Sequence, residues 1–102
     1  MYVKLHKSYR TVVAICDSDL IGKKFEEKFK DGIKQLDIRE NFYKGQEMPE
    51  SEVISLIKRE YKEDATFNII GKESCKAAEK AGLVDAKFVK KIKGIPYVLV
   101  LM

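Results

Sequence analysis

Lys87, Lys90, Lys91 and Lys93 crowd into one short stretch, with Phe88 among them and Tyr97 shortly after. Ammonium groups neutralise phosphates and an exposed aromatic ring stacks on a base, so this cluster is the candidate nucleic-acid contact. The competing reading is a solvated hairpin whose Phe88 turns into the core. There is no RRM aromatic signature and no GXXG loop, so base-specific reading is not implied. A second group, Gly71, Lys72 and Ser74 with Asn68 just upstream, lies between an apolar run and a helix start. Free N–H groups and the helix dipole favour an anion there, and a glycine lets it approach closely. The structural alternative is a tight strand-to-helix turn. No GxGxxG and no Gly-Lys-Ser/Thr run is present, which leaves out the dinucleotide and P-loop motifs.

Other chemistry is thinner. Cys16 and Cys75 stand far apart, with no CxxC and no Cys/His cluster, so no metal site and no cofactor is expected. Both sit among apolar or small residues and read as buried, reduced thiols. Cys16 stands just before a helix start, a position that can lower a thiol pKa, but burial outweighs this. His6 is the only histidine. A two-residue turn at Ser8-Tyr9 would pair His6 with Thr11 and Cys16 with Met1, placing Cys16 on the face of Val3 and Leu5, opposite His6. A one-residue shift reverses the faces but leaves the two well separated along the strand. Asp17/Asp19, Glu26/Glu27 and Glu63/Asp64 lack the apolar surroundings that would prepare a carboxyl for acid–base work. No catalytic set is predicted.

These residues need elements to hold them. Val3 to His6 and Thr11 to Cys16 read as a hairpin, the second strand apolar on both faces and therefore central. Asp17 or Ser18 is expected to cap a helix carrying Ile21, Phe25 and Phe29 on one stripe, ended by Asp31-Gly32. Lys34 to Ile38 alternates as a short strand. Residues 39–48 read as a loop anchored by Phe42 and Tyr43. Pro49 opens a helix over 50–62 with Val53, Leu56, Ile57 and Tyr61 on one face. Ala65 to Ile70 reads as a buried strand. Residues 73–81 form a helix with a small inner face of Cys75, Ala78 and Ala81, terminated by Gly82. Phe88 to Ile92, Lys93-Gly94 and Ile95 to Leu101 make a last hairpin, in which Pro96 places its strand at an edge or near its start. The expected class is α+β, a mixed α/β two-layer sandwich of five or six strands and three helices.

At 102 residues the chain is sized for a single domain, 1–102. Apolar residues make up 45% and charged residues 35%, a folded composition rather than a disordered one. No apolar run is long enough for a membrane span and the N-terminus has no signal-peptide core, so a cytoplasmic, non-membrane protein is expected. Charge is uneven: residues 1–39 carry a net +3, residues 40–64 a net −3 and residues 65–102 a net +4. A net +4 of mixed sign is weaker than dedicated nucleic-acid binders show. Abundant charge with few amides, thiols and imidazoles is the balance of thermostable proteins.

The runs Ala14-Ile15-Cys16-Asp17 and Leu20 to Glu27 are similar to landmarks of an archaeal family of small conserved proteins. So are Phe42-Tyr43 with Gly45, Asn68-Ile69-Ile70-Gly71, Gly82-Leu83-Val84 and Gly94-Ile95-Pro96. The family is catalogued as a domain of unknown function, number four-two-four, and the resemblance spans essentially the whole chain. It implies a compact two-layer α/β fold and brings no activity, substrate or cofactor. Where other members carry Gly-Val-Pro-His, this chain has Gly94-Ile95-Pro96-Tyr97, which argues against chemistry resting on that histidine. The leading expectation is a non-enzymatic binding module meeting RNA or a ribosome- or translation-associated partner through its basic surface. The alternatives are a small enzyme or ligand-binding protein for a phosphate or carboxylate at Gly71, and an interaction adaptor using the acidic 40–64 segment.

Overall fold

The computed structural model describes residues 1–101. Its centre is a six-stranded sheet in the order β5-β1-β2-β6-β8-β7. The strands are β1 (Tyr2–His6), β2 (Val12–Cys16), β5 (Gln46–Glu47), β6 (Thr66–Ile70), β7 (Lys90–Ile92) and β8 (Ile95–Val100). All neighbours are antiparallel except β2 and β6, which run parallel. A parallel pair needs a crossover, and α2 (Glu50–Lys62) supplies it. Its Val53, Leu56 and Ile57 pack on one face of the sheet beside Cys75, Ala77 and Ala78 of α3 (Lys72–Lys80). Val3, Val13, Ile15, Phe67, Ile69 and Val98 meet them from the strands. The small residues of α3 let its backbone lie close to β6 and β8.

The opposite face has its own core. A separate two-stranded sheet, β3 (Lys24–Phe29) and β4 (Gly32–Asp37), covers part of it together with the one-turn α1 (Glu40–Tyr43). Leu20, Leu36, Ile38 and Tyr43 pack there on Ala14, Cys16, Ile70 and Ile92. The α+β class is as expected, with eight strands among the described residues in place of five or six.

Three local expectations are corrected. The helix expected after Asp17 is a 3-10 turn (Ser18–Leu20) followed by β3. A spacing of four fits a strand as well as a helix, because it is an even number: Phe25, Glu27 and Phe29 are half-buried while their neighbours are exposed. Asp31-Gly32 does not stop a helix; it closes the β3–β4 hairpin, with Gly32 at φ +136°. The loop expected over 39–48 contains α1 and β5. The β1–β2 register pairs His6 with Val12 and Tyr2 with Cys16, one residue from the two-residue-turn estimate, because the connection takes five residues rather than four. His6 and Cys16 therefore share a face.

Candidate functional site

The start of α3 is where an anion was expected, and a carboxylate of the chain itself lies there. Asp17, just past the end of β2, accepts from the backbone N–H of Glu73 at 3.1 Å, the N–H of Ser74 at 2.8 Å and the Ser74 hydroxyl at 2.7 Å. Asp17 and Ser74 are both buried. Gly71 sits at φ +114°, and a Cβ added to it would fall on the Asp17 carboxyl group. The glycine thus makes room for Asp17. Lys72 is exposed, whereas Ser74 is consumed by Asp17. Asn68 does not converge with them. It pairs with Ala14 and Leu99, and strand alternation turns it to the hairpin-covered face, away from α3. It is half-buried there. The capping role of Asp17 was legible in its residue type, but its helix lies 56 positions downstream and not immediately after it.

Both cysteines are free and buried. Burial first, and the Asp17 carboxylate second, push the Cys16 thiol up to about 12. Burial likewise raises Cys75 to about 12, with Asp17 and Glu79 adding and a backbone hydrogen bond at Gly71 opposing. Tyr43 is pushed up to about 12 by burial and by Cys16. Such thiols are poor nucleophiles at neutral pH. His6 shares a face with Cys16 but lies four strand positions away, roughly 13 Å. Its Nε2 is 2.8 Å from the Phe42 carbonyl oxygen and its ring stacks on Phe42 at 4.4 Å. Phe42 in turn meets Tyr43 edge-on. This is a packed aromatic column.

The basic cluster lies at the β7 edge of the sheet. Lys90 and Lys91 are on β7, Lys93 is in the β7–β8 turn, and Lys87 is in the short 3-10 turn before β7. All four are exposed, and none takes part in an ion pair among the described residues. Phe88 is 65% exposed, so its ring is not a core anchor. The Lys87 ammonium stands 5.4 Å from the centre of that ring. Lys93 and Gly94 both have positive φ, as a two-residue hairpin turn of this twist requires. Glu27 of β3 accepts from the Lys93 N–H at 2.7 Å and so pins the turn. Sequence reasoning missed this tie because it placed Glu27 on a helix.

Beside the basic edge runs a groove of about 1140 Å³. Leu83, Val84 and Phe88 line one side, and Tyr97, Leu99 and Leu101 line the other.

Residues 6–102 match the model of a family described as a protein of unknown function, DUF424. The crystal structure of an uncharacterized conserved protein from Methanopyrus kandleri is similar, with a TM-score of 0.82 at 28% identity. The likeness covers 97% of this chain and 88% of that one. No curated protein matches the sequence.

Proposed function

The chain belongs to DUF424, a family of unknown function, and on that premise we propose that it is a non-enzymatic binding module of the cytoplasm. In this reading it contacts single-stranded RNA, free or within a ribosomal or translation assembly, through Lys87, Lys90, Lys91 and Lys93. The observation that carries the reading is Phe88, an exposed aromatic ring beside the Lys87 ammonium, in a segment whose four exposed lysine ammonium groups form no ion pair among the described residues. Lysines without partners are available to phosphates, and an exposed ring is available to a base. Of the other polar candidates, Asp17 and Ser74 are engaged with each other and His6 with Phe42, which leaves Lys72 exposed alone at the start of α3.

Titration of a fluorescent oligouridylate at a series of salt concentrations tests the reading. Each lysine meeting a phosphate contributes a slope of about −0.7 in log affinity against log salt, so four contacts give about −3. Replacing all four lysines with Ala removes most of that slope and leaves the fold intact. Phe88→Ala leaves the slope but weakens binding about tenfold, within the range for one lost stacking contact. Absence of binding even at low salt overturns the reading.

A further inference from the structure

Exposed sheet edges invite other strands, and proteins usually guard them with short strands, charges or proline. Two edges here are guarded. β5 is only two residues long, and β7 carries Lys90 and Lys91. A third edge is not. β7 pairs only with residues 95–97 of β8, so residues 98–100 have β6 on one side and, among the described residues, no strand on the other; Leu101 follows just past the strand. That stretch, Val98-Leu99-Val100-Leu101, is uncharged and contains no proline. Leu99 is 56% and Leu101 72% exposed.

The direction of the backbone groups follows from the neighbouring pairs. The Pro96 carbonyl accepts from the Gly71 N–H at the end of β6. Strand alternation then aims Pro96, Val98 and Val100 toward β6, and Ile95, Tyr97 and Leu99 the other way. Ile95 and Tyr97 meet Ile92 and Lys90 there. Leu99 presents its N–H and C=O groups to the groove described above, and Leu101, just past the strand, lines it.

We infer that this free edge of β8 takes up an extended peptide as an added strand, one with alternating apolar side chains and an acidic residue at the end nearest β7. The backbone ladder supplies affinity and alternate side chains supply selection. One face of the added strand meets Tyr97 and Leu99, the other Leu83 and Val100. The charges flanking the groove decide the acidic position. Lys90, paired with Tyr97, stands at the β7 end without a carboxylate partner among the described residues. Of the two acids lining the groove, Asp85 is turned onto the Lys87 N–H at 3.2 Å, and Glu79 lies at the far end, on the last turn of α3. This proposal does not rest on RNA binding, although the two sites share Lys90 and Phe88.

The probe is a capped hexapeptide, Asp-Val-Thr-Leu-Ser-Val, titrated into the full chain and followed by amide NMR and hydrogen exchange. Shifts confined to residues 83–90 and 97–101, with slowed exchange at the Leu99 and Leu101 amides, are expected. Lys in place of the peptide Asp weakens binding about fivefold, the size of one exposed ion pair. Leu99→Pro removes a donor aimed at the groove without touching the β6 ladder and abolishes binding. A peptide N-methylated at alternate residues gives the same loss with the protein unaltered, so the test survives if the Pro variant fails to fold. The inference is overturned by shifts without protection of Leu99 and Leu101, by full binding of the N-methylated peptide, or by protection of those amides by protein concentration alone, which would mean that a second copy occupies the edge. Displacement of the peptide by oligouridylate with no change in edge protection would also overturn it.

Discussion

Asp17 joins elements that are distant in sequence. Its carboxylate ends β2 and caps α3 through two backbone N–H groups and the Ser74 hydroxyl. Asp17→Ala leaves those three donors without their acceptor in a buried position and is expected to cost about 2 kcal/mol or more. Urea unfolding measures it; a loss under about 0.5 kcal/mol, the size of an ordinary surface change, would contradict the role. The neighbouring thiols give a second expectation. Cys16 and Cys75 rise from 9.0 to about 12 and Tyr43 from 10.0 to about 12. Each is neutral when protonated, and the folded chain keeps the proton to higher pH than the unfolded one. Their contribution is therefore complete below about pH 9 and is lost as pH climbs toward 12, by up to about 1.4 kcal/mol per group per pH unit. Urea unfolding at pH 8 and near pH 10.5 should show the fall, and a double Cys16→Ala, Cys75→Ala variant should flatten most of it. A wild-type stability unchanged across that range would contradict this account.

At the scale of elements, the β3–β4 hairpin differs from the rest. It forms its own two-stranded sheet, and two strands alone are marginal in water. Its hold on the molecule is Leu36, the half-buried Phe25 and Phe29, and the Glu27 tie to the Lys93 N–H. Gly32→Ala forces a side chain into a positive φ with open space around it, so its cost is backbone strain alone, about 1–2 kcal/mol. Calorimetry should show a fall of several degrees in Tm, with contacts of α2 and α3 unaltered by NMR. No change in Tm would mean that the turn relaxes freely. This hairpin was also the least legible element. α2, β6 and α3 showed in their apolar periods and end signals, within a residue or two of their observed limits. In β3 the two phenylalanines satisfy both periods, and only its pairing with β4 decides between them. Similarly, α1 is a single turn, too short for a period to appear. The lysines of the candidate site were legible because clustering is a property of sequence. The Glu27 tie and the free edge of β8 were not, because each depends on which strand lies beside which.

Across the whole molecule, charge is uneven, and the basic stretch 1–39 holds β1 and β2 between the two ends of the strand order. The acidic stretch 40–64 includes β5 at one end of the strand order, and the basic C-terminal part includes β7 at the other. In the proposed reading, the field of the β7-edge lysines draws an anionic polymer to that edge. This arrangement separates a site from mere net charge. Changing Lys23, Lys24, Lys28 and Lys30 to Ala removes as much formal charge as changing the β7-edge lysines, but from a segment where Glu26 and Glu27 already offset it. The first variant is expected to keep most of the salt dependence of RNA binding and the second to lose it. Equal losses would reduce the effect to overall charge.

The two thiols lie on opposite sides of one sheet, Cys16 under the hairpin and Cys75 under the helices. The fold therefore carries a built-in pair of clocks, one for each side. An alkylating reagent in mild denaturant stops each clock when its own cover lifts, and the mass of the intact chain with peptide mapping reads both. The hairpin is the lighter cover, so Cys16 should be modified well before Cys75, with the gap closing only as denaturant approaches the global midpoint. Simultaneous modification at every denaturant concentration would mean that neither side opens without the other. The sheet would then act as a single hinge-free plate.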